Sequence, residues 1–126
     1  MNAWAINLKT GSLYALLFAI ILSSCNSNFC SNNILLEVVS PNSKYVASIF
    51  ERDCGATTPY VQVVSLRFIG RKFDPKKTGD WVFTIHGKSD VKIYWDGDTK
   101  LKILFSATGD SPTQHTKWQD VTISYN

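Results

Sequence analysis

The sequence predicts an all-β protein: a small antiparallel sandwich, barrel or twisted meander that begins after an apolar N-terminal segment. Three observations carry that expectation. Apolar side chains recur at every second position in several segments, the period of a half-buried strand. No window of ten or more residues beyond residue 24 has a clean helical period. Clusters of Pro, Asn, Asp, Gly and Ser separate the strand-like segments, as turns do in all-β architectures.

Residues 34–39 and 45–50 are the most continuously apolar and read as the first two strands. Ser40-Pro41-Asn42-Ser43-Lys44 between them has Pro-Asn turn chemistry, so the two should form a hairpin. Residues 61–69 form a third strand whose phase shifts near Val63 and Val64, which suggests a bulge. Trp81, Phe83 and Ile85 then alternate with Val82, Thr84 and His86. Val91, Ile93 and Trp95 alternate with Lys92 and Tyr94, and Leu101, Ile103 and Phe105 with Lys102 and Leu104. Val121, Ile123 and Tyr125 alternate with Thr122, Ser124 and Asn126. Each segment offers one apolar face. Asp96-Gly97-Asp98-Thr99-Lys100 should close a second hairpin. Trp81 and Trp95, in phase with apolar neighbours, belong in the core, and Trp118 is a candidate for exposure. The 40–47 hairpin resembles the strand-turn-strand of a β-propeller blade, but the chain is too short for a closed propeller.

The N-terminus has the parts of a secretory signal. Lys9 is the only base before Lys44, and residues 13–22 are an unbroken apolar run. Ten residues fall short of the ~20 that span a bilayer as a helix, which makes a stop-transfer helix the weaker reading. Leu22-Ser23-Ser24-Cys25 resembles the lipobox of bacterial lipoproteins at every position. That resemblance implies cleavage after residue 24 and a thioether-linked diacylglycerol on Cys25. Two or more acyl chains hold firmly where one is marginal. An ordinary secretory signal with an incidental cysteine is the rival. The resemblance implies the bacterial cell envelope, and Asn26 after the cysteine favours the periplasmic face of the outer membrane in enterobacteria-type sorting.

The expected organisation is therefore a signal peptide over residues 1–24, a lipidated Cys25 with a polar tether over 25–33, and one domain over 34–126. Residues 1–24 hold one base and no acid, so the rest carries twelve bases against ten acids. Such a balance makes no electrostatic case for nucleic acid. Arg67, Arg71, Lys72, Lys76 and Lys77, with only Asp74 among them, form a candidate basic patch toward anionic headgroups. The rival is a solvated loop. Three cysteines leave an odd one in an exported chain. If Cys25 is lipidated, Cys30 and Cys54 remain as one possible pair in an oxidising compartment.

Arg52-Asp53-Cys54-Gly55-Ala56-Thr57-Thr58 is the most unusual segment. With the preceding turn it resembles a group of small exported bacterial proteins of unknown function, a likeness covering about residues 40–66 that brings no activity with it. Its first reading is structural: a strand end, a glycine free to take positive φ, and threonines that bond a tight loop. Its functional reading is a binding loop exposing Arg52, Asp53, Thr57 and Thr58.

Catalysis finds little support. His86 should face solvent and His115 lies in a polar loop, with no Gly-x-Ser-x-Gly elbow. Asp96, Asp98 and Asp110 lack the spaced oxygens of a calcium loop, so no metal or other cofactor is expected. The chain thus reads as a monomeric, non-enzymatic binding module, held to the membrane by its lipid and taking a protein or glycan partner. An inhibitor or immunity lipoprotein, similar in architecture to periplasmic lysozyme inhibitors, and an unrecognised hydrolase are the alternatives.

Overall fold

The computed structural model describes residues 29–106 and 110–126. The lipobox and Cys25 lie outside the described residues. Among the described residues nine strands follow one another: β1 (Ser31–Val39), β2 (Tyr45–Asp53), β3 (Val61–Phe68), β4 (Trp81–His86), β5 (Lys92–Trp95), β6 (Lys100–Leu104), β7 (Thr113–Gln114), β8 (Lys117–Trp118) and β9 (Val121–Tyr125). A 3-10 turn, Thr78–Asp80, precedes β4.

The strands make two sheets, ordered β1-β2-β3-β4-β7 and β5-β6-β9-β8. The first is antiparallel throughout. The second departs from the expected pattern in one pair, because β9 runs parallel to β6. Parallel neighbours need a crossover, and β7 and β8 supply it. Thr113–Gln114 joins the first sheet beside β4, and Lys117–Trp118 joins the second beside β9. The chain between them is held to both sheets by His115 N–H donating to the Val82 carbonyl and Ile123 N–H donating to the Thr116 carbonyl. This crossing closes one side of a sandwich. On the other side β1 and β5 meet, where the Trp95 indole donates to the Val38 carbonyl at 3.0 Å.

Both expected hairpins are present. In the first, Ser40 Oγ accepts the Tyr45 and Lys44 N–H groups and donates to Asn42 Oδ1 at 2.7 Å. Ser43 takes the left-handed conformation, φ 58°. One serine thus satisfies the donors that the tight reversal would orphan. In the second, Asp96 N–H donates to the Lys100 carbonyl, and Gly97 supplies the positive φ, 110°.

The core lies between the sheets. Tyr45, Ala47 and Ile49 from β2, Val64 and Leu66 from β3, and Phe83 and Ile85 from β4 meet Ile93, Leu101, Ile103, Val121 and Ile123 from the second sheet. The Tyr45 ring stacks on Trp95 and meets Trp118 edge-on, with centroids 6.2 and 6.0 Å away. Trp118 is buried, 8% exposed, against the expectation of exposure. The reason is a tight reversal through Gln119 that turns β8 back along β9 and points the indole inward.

Three further expectations are corrected. Residues 31–33, assigned to a tether, already pair with Asp53, Arg52 and Glu51 as the start of β1. The irregularity expected near Val63 and Val64 is there, between Val64 and Ser65, but the extra residue is Val82 on the partner strand. β3 itself looks out of phase because its residues Gln62 to Leu66 are buried on both faces. That bulge also turns Trp81 away from Phe83 and Ile85. Trp81 sits on the outer face of the first sheet, edge-on to Phe50 at 5.9 Å.

Candidate functional site

The outer face of the first sheet is built by the segment between β3 and β4. Residues 69–80 fold back over β2, and Phe73 packs edge-on against Phe50 at 5.1 Å. Phe50 is fully buried there although it points away from the main core. The strand period cannot reveal this, because period 2 says which residues share a face and not whether a distant loop covers it.

The basic segment lies in this layer, and the structure divides it. Arg67 is 15% exposed, with Nη1 3.1 Å from Glu37 Oε1 and donating to Ser48 Oγ at 2.8 Å. Its Nε donates to the Arg71 carbonyl, and its guanidinium lies over the Phe73 ring. Arg71 and Lys77 both pair with Asp80, at 3.5 and 3.9 Å. Lys72 and Lys76 are exposed and form no ion pair among the described residues. The five bases therefore do not make one patch. Arg67 is occupied inside the domain, because a planar guanidinium can satisfy a carboxylate, a hydroxyl and a carbonyl together, whereas Arg71 pairs with Asp80 and stays partly exposed. Lys72, Lys76 and Lys77 are the most exposed of the five.

The candidate binding loop also divides. Arg52 donates to Asn32 Oδ1 at 3.1 Å and to the Pro75 carbonyl at 3.4 Å, and its guanidinium lies 5.8 Å from the Trp81 ring centre. It fastens β1, β2 and the covering segment together. Asp53 Oδ1 accepts the Gly55 N–H, forming a turn in which Gly55 has φ 112°. Thr58 N–H donates to the Gly55 carbonyl and Thr58 Oγ1 to the Cys54 carbonyl. Thr57 is exposed. Of the four residues, Arg52 and Asp53 shape the loop, and Thr57 and Thr58 sit on its surface.

Cys30 and Cys54 form a disulfide between the chain entering β1 and the chain leaving β2. With those two joined, Cys25 has no cysteine of its own chain left to pair with.

His86 and His115 are both exposed, and neither pairs with a carboxylate among the described residues. No group of three or more His, Cys, Asp or Glu residues is placed to hold a metal ion among the described residues. No described helix is long and apolar enough to cross a membrane.

Sequence reasoning overlooked Glu37 and Ser48, the polar partners of Arg67. Their signal was present: a lone charge inside an apolar strand, and a serine at an otherwise apolar position of the next. The fold and these surfaces define a small β sandwich with one disulfide and a polar cluster under a folded-back loop. Comparison with protein families, curated proteins and solved structures found no match.

Proposed function

We propose that the chain is a lipid-anchored, non-enzymatic binding module of the bacterial cell envelope. The observation that carries the proposal is Cys25 at the end of Leu22-Ser23-Ser24-Cys25. The Cys30–Cys54 disulfide supports it twice. It fits an oxidising compartment, and it leaves Cys25 free of any intrachain partner. The loop around Thr57 and Thr58, displayed at the end of a disulfide-clamped hairpin, is the surface offered to a protein or glycan partner.

The test is intact mass and membrane partitioning of the protein expressed in a lipoprotein-processing bacterium, beside Cys25→Ser. The expected wild type loses residues 1–24, gains lipid mass and partitions with membranes, and the variant does none of these. An unlipidated, soluble wild type overturns the anchor. Envelope extracts passed over the anchored protein and over Thr57→Arg/Thr58→Arg then test the loop. A partner retained equally by both removes it as the binding surface.

A further inference from the structure

We propose that the β1 edge of the domain lies against a phospholipid bilayer, with Ile34, Leu35, Leu36 and Val39 in the membrane interface. The inference rests on Cys25 being the lipidated residue. It adds that the domain lies down on the membrane and does not stand off on a tether.

β1 is the edge strand of the first sheet, nine residues and about 30 Å long. The described residues expose seven large apolar side chains, and five of them are Phe29, Ile34, Leu35, Leu36 and Val39. The four on β1 are 41 to 47% exposed, and Phe29, just before the disulfide, is 91% exposed. Scattered apolar residues are ordinary on a surface, but a run along one element marks a contact. The pairing register places Ile34 and Val39 on the outer face, opposite Phe50 and Val46, and Leu36 on the core side, opposite Ile49. Leu35 is the extra residue of a bulge between Ile34 and Leu36. The apolar atoms therefore flank the edge on both sides.

That shape is a poor template for another strand. The bulge interrupts the ladder, a device by which natural edges avoid pairing. The Val38 carbonyl is already taken by the Trp95 indole. The one charge in the row, Glu37, is occupied by Arg67 and Ser48. A fluid apolar phase accepts such an irregular edge, where a strand partner needs regular hydrogen bonds.

Tether length brings that phase within reach. Four residues separate Cys25 from Cys30, and the five extended steps between them span at most about 18 Å. Cys30 is fastened to Cys54 where β1 begins. The start of β1 is thus held within a tether length of the acyl chains, and the apolar edge runs on from there. Interfacial burial of the edge adds to the hold of the acyl chains.

The full chain, purified from a lipoprotein-processing bacterium, would be reconstituted into vesicles of phosphatidylethanolamine and phosphatidylglycerol. These carry a phospholipid with a photoactivatable diazirine in its acyl chain. Adducts are mapped by mass spectrometry for wild type and for Leu35→Asp/Leu36→Asp. The expected result is adducts on residues 31–39 severalfold above those on residues 113–126, lost in the double variant. Amide-exchange protection of β2 and β3 in the variant shows that it folds. Adducts confined to residues 25–29 overturn the proposal, as do crosslinks between the β1 strands of two copies in place of lipid adducts. Intact mass separates the two readings. If Cys25 carries no lipid the anchor fails, and the same map still decides the docking: adducts on β1 sustain it and their absence ends it.

Discussion

Arg67 on β3 reaches across β2 to Glu37 on β1, with Nη1 3.1 Å from the carboxylate oxygen and Ser48 of the middle strand bonded to both. Three strands are thus tied on the face away from the main core. Removing one member of a desolvated, hydrogen-bonded charge pair leaves the other poorly solvated. Glu37 keeps partial access to water, which tempers the loss. Arg67→Ala should destabilise the domain by about 2 kcal/mol. Arg67→Lys should recover only part of it, because an ammonium cannot hold Glu37, Ser48 and the Arg71 carbonyl together. Urea unfolding of the three proteins checks the order.

Phe73 holds the covering segment onto Phe50. Phe50 is fully buried, so Phe50→Ala should cost about 3 to 4 kcal/mol. Phe73 is half-buried, and Phe73→Ala should cost less, about 2 kcal/mol. Its effect should be local. Amide exchange should speed up over residues 69–80 and leave β6 and β9 protected. Equal acceleration in both sheets would mean that the outer layer and the main core unfold as one unit.

The disulfide joins residues 24 apart. In the chain-entropy account, closing a loop of that size stabilises the fold by about 3 kcal/mol. Cys30→Ala/Cys54→Ala should lose about that much in urea unfolding, and the fraying should begin at Ser31–Asn33, where β1 pairs with the end of β2. An unchanged unfolding midpoint would show that the strand pairing alone holds this end.

Alkaline pH should weaken the fold through two tyrosines. Burial pushes the Tyr125 hydroxyl up to about 12, where it sits 2.6 Å from the His115 carbonyl and 3.0 Å from that of Val82. Tyr60 is also raised to about 12, by burial and then by Glu51. A raised folded value means that between pH 10 and 12 the unfolded chain binds fewer protons than the folded one. Stability is therefore constant below the unfolded value near 10 and falls as pH rises toward 12. Tyr125→Phe should make that fall shallower in thermal melts from pH 9 to 12. An unchanged slope would assign the alkaline loss to other groups.

Much of the fold is legible in the chain. Alternation along β5, β6 and β9 correctly separates buried Ile93, Leu101, Ile103, Val121 and Ile123 from their polar neighbours, because each of these strands has one covered face. The two hairpins are legible because Ser40-Pro41-Asn42 and Asp96-Gly97 bring their turn chemistry with them. The disulfide follows from counting cysteines once Cys25 is set aside. The candidate site was less readable. Arg52 and Arg67 read as exposed charges, yet they hold Asn32, Pro75, Glu37 and Ser48 through contacts 19 to 30 residues apart in sequence.

By itself, then, the sequence determined strand period, turn placement and the cysteine arithmetic, since these depend on neighbours within a few residues. Only the tertiary structure decided which faces are covered twice. A bulge at Val82 reversed Trp81, a tight turn at Gln119 buried Trp118, and strand pairing brought Glu37 of β1 to Arg67 of β3. Each outcome depends on a segment distant in sequence arriving on a given face. Side-chain periodicity records the direction in which a residue points and not what the fold brings there.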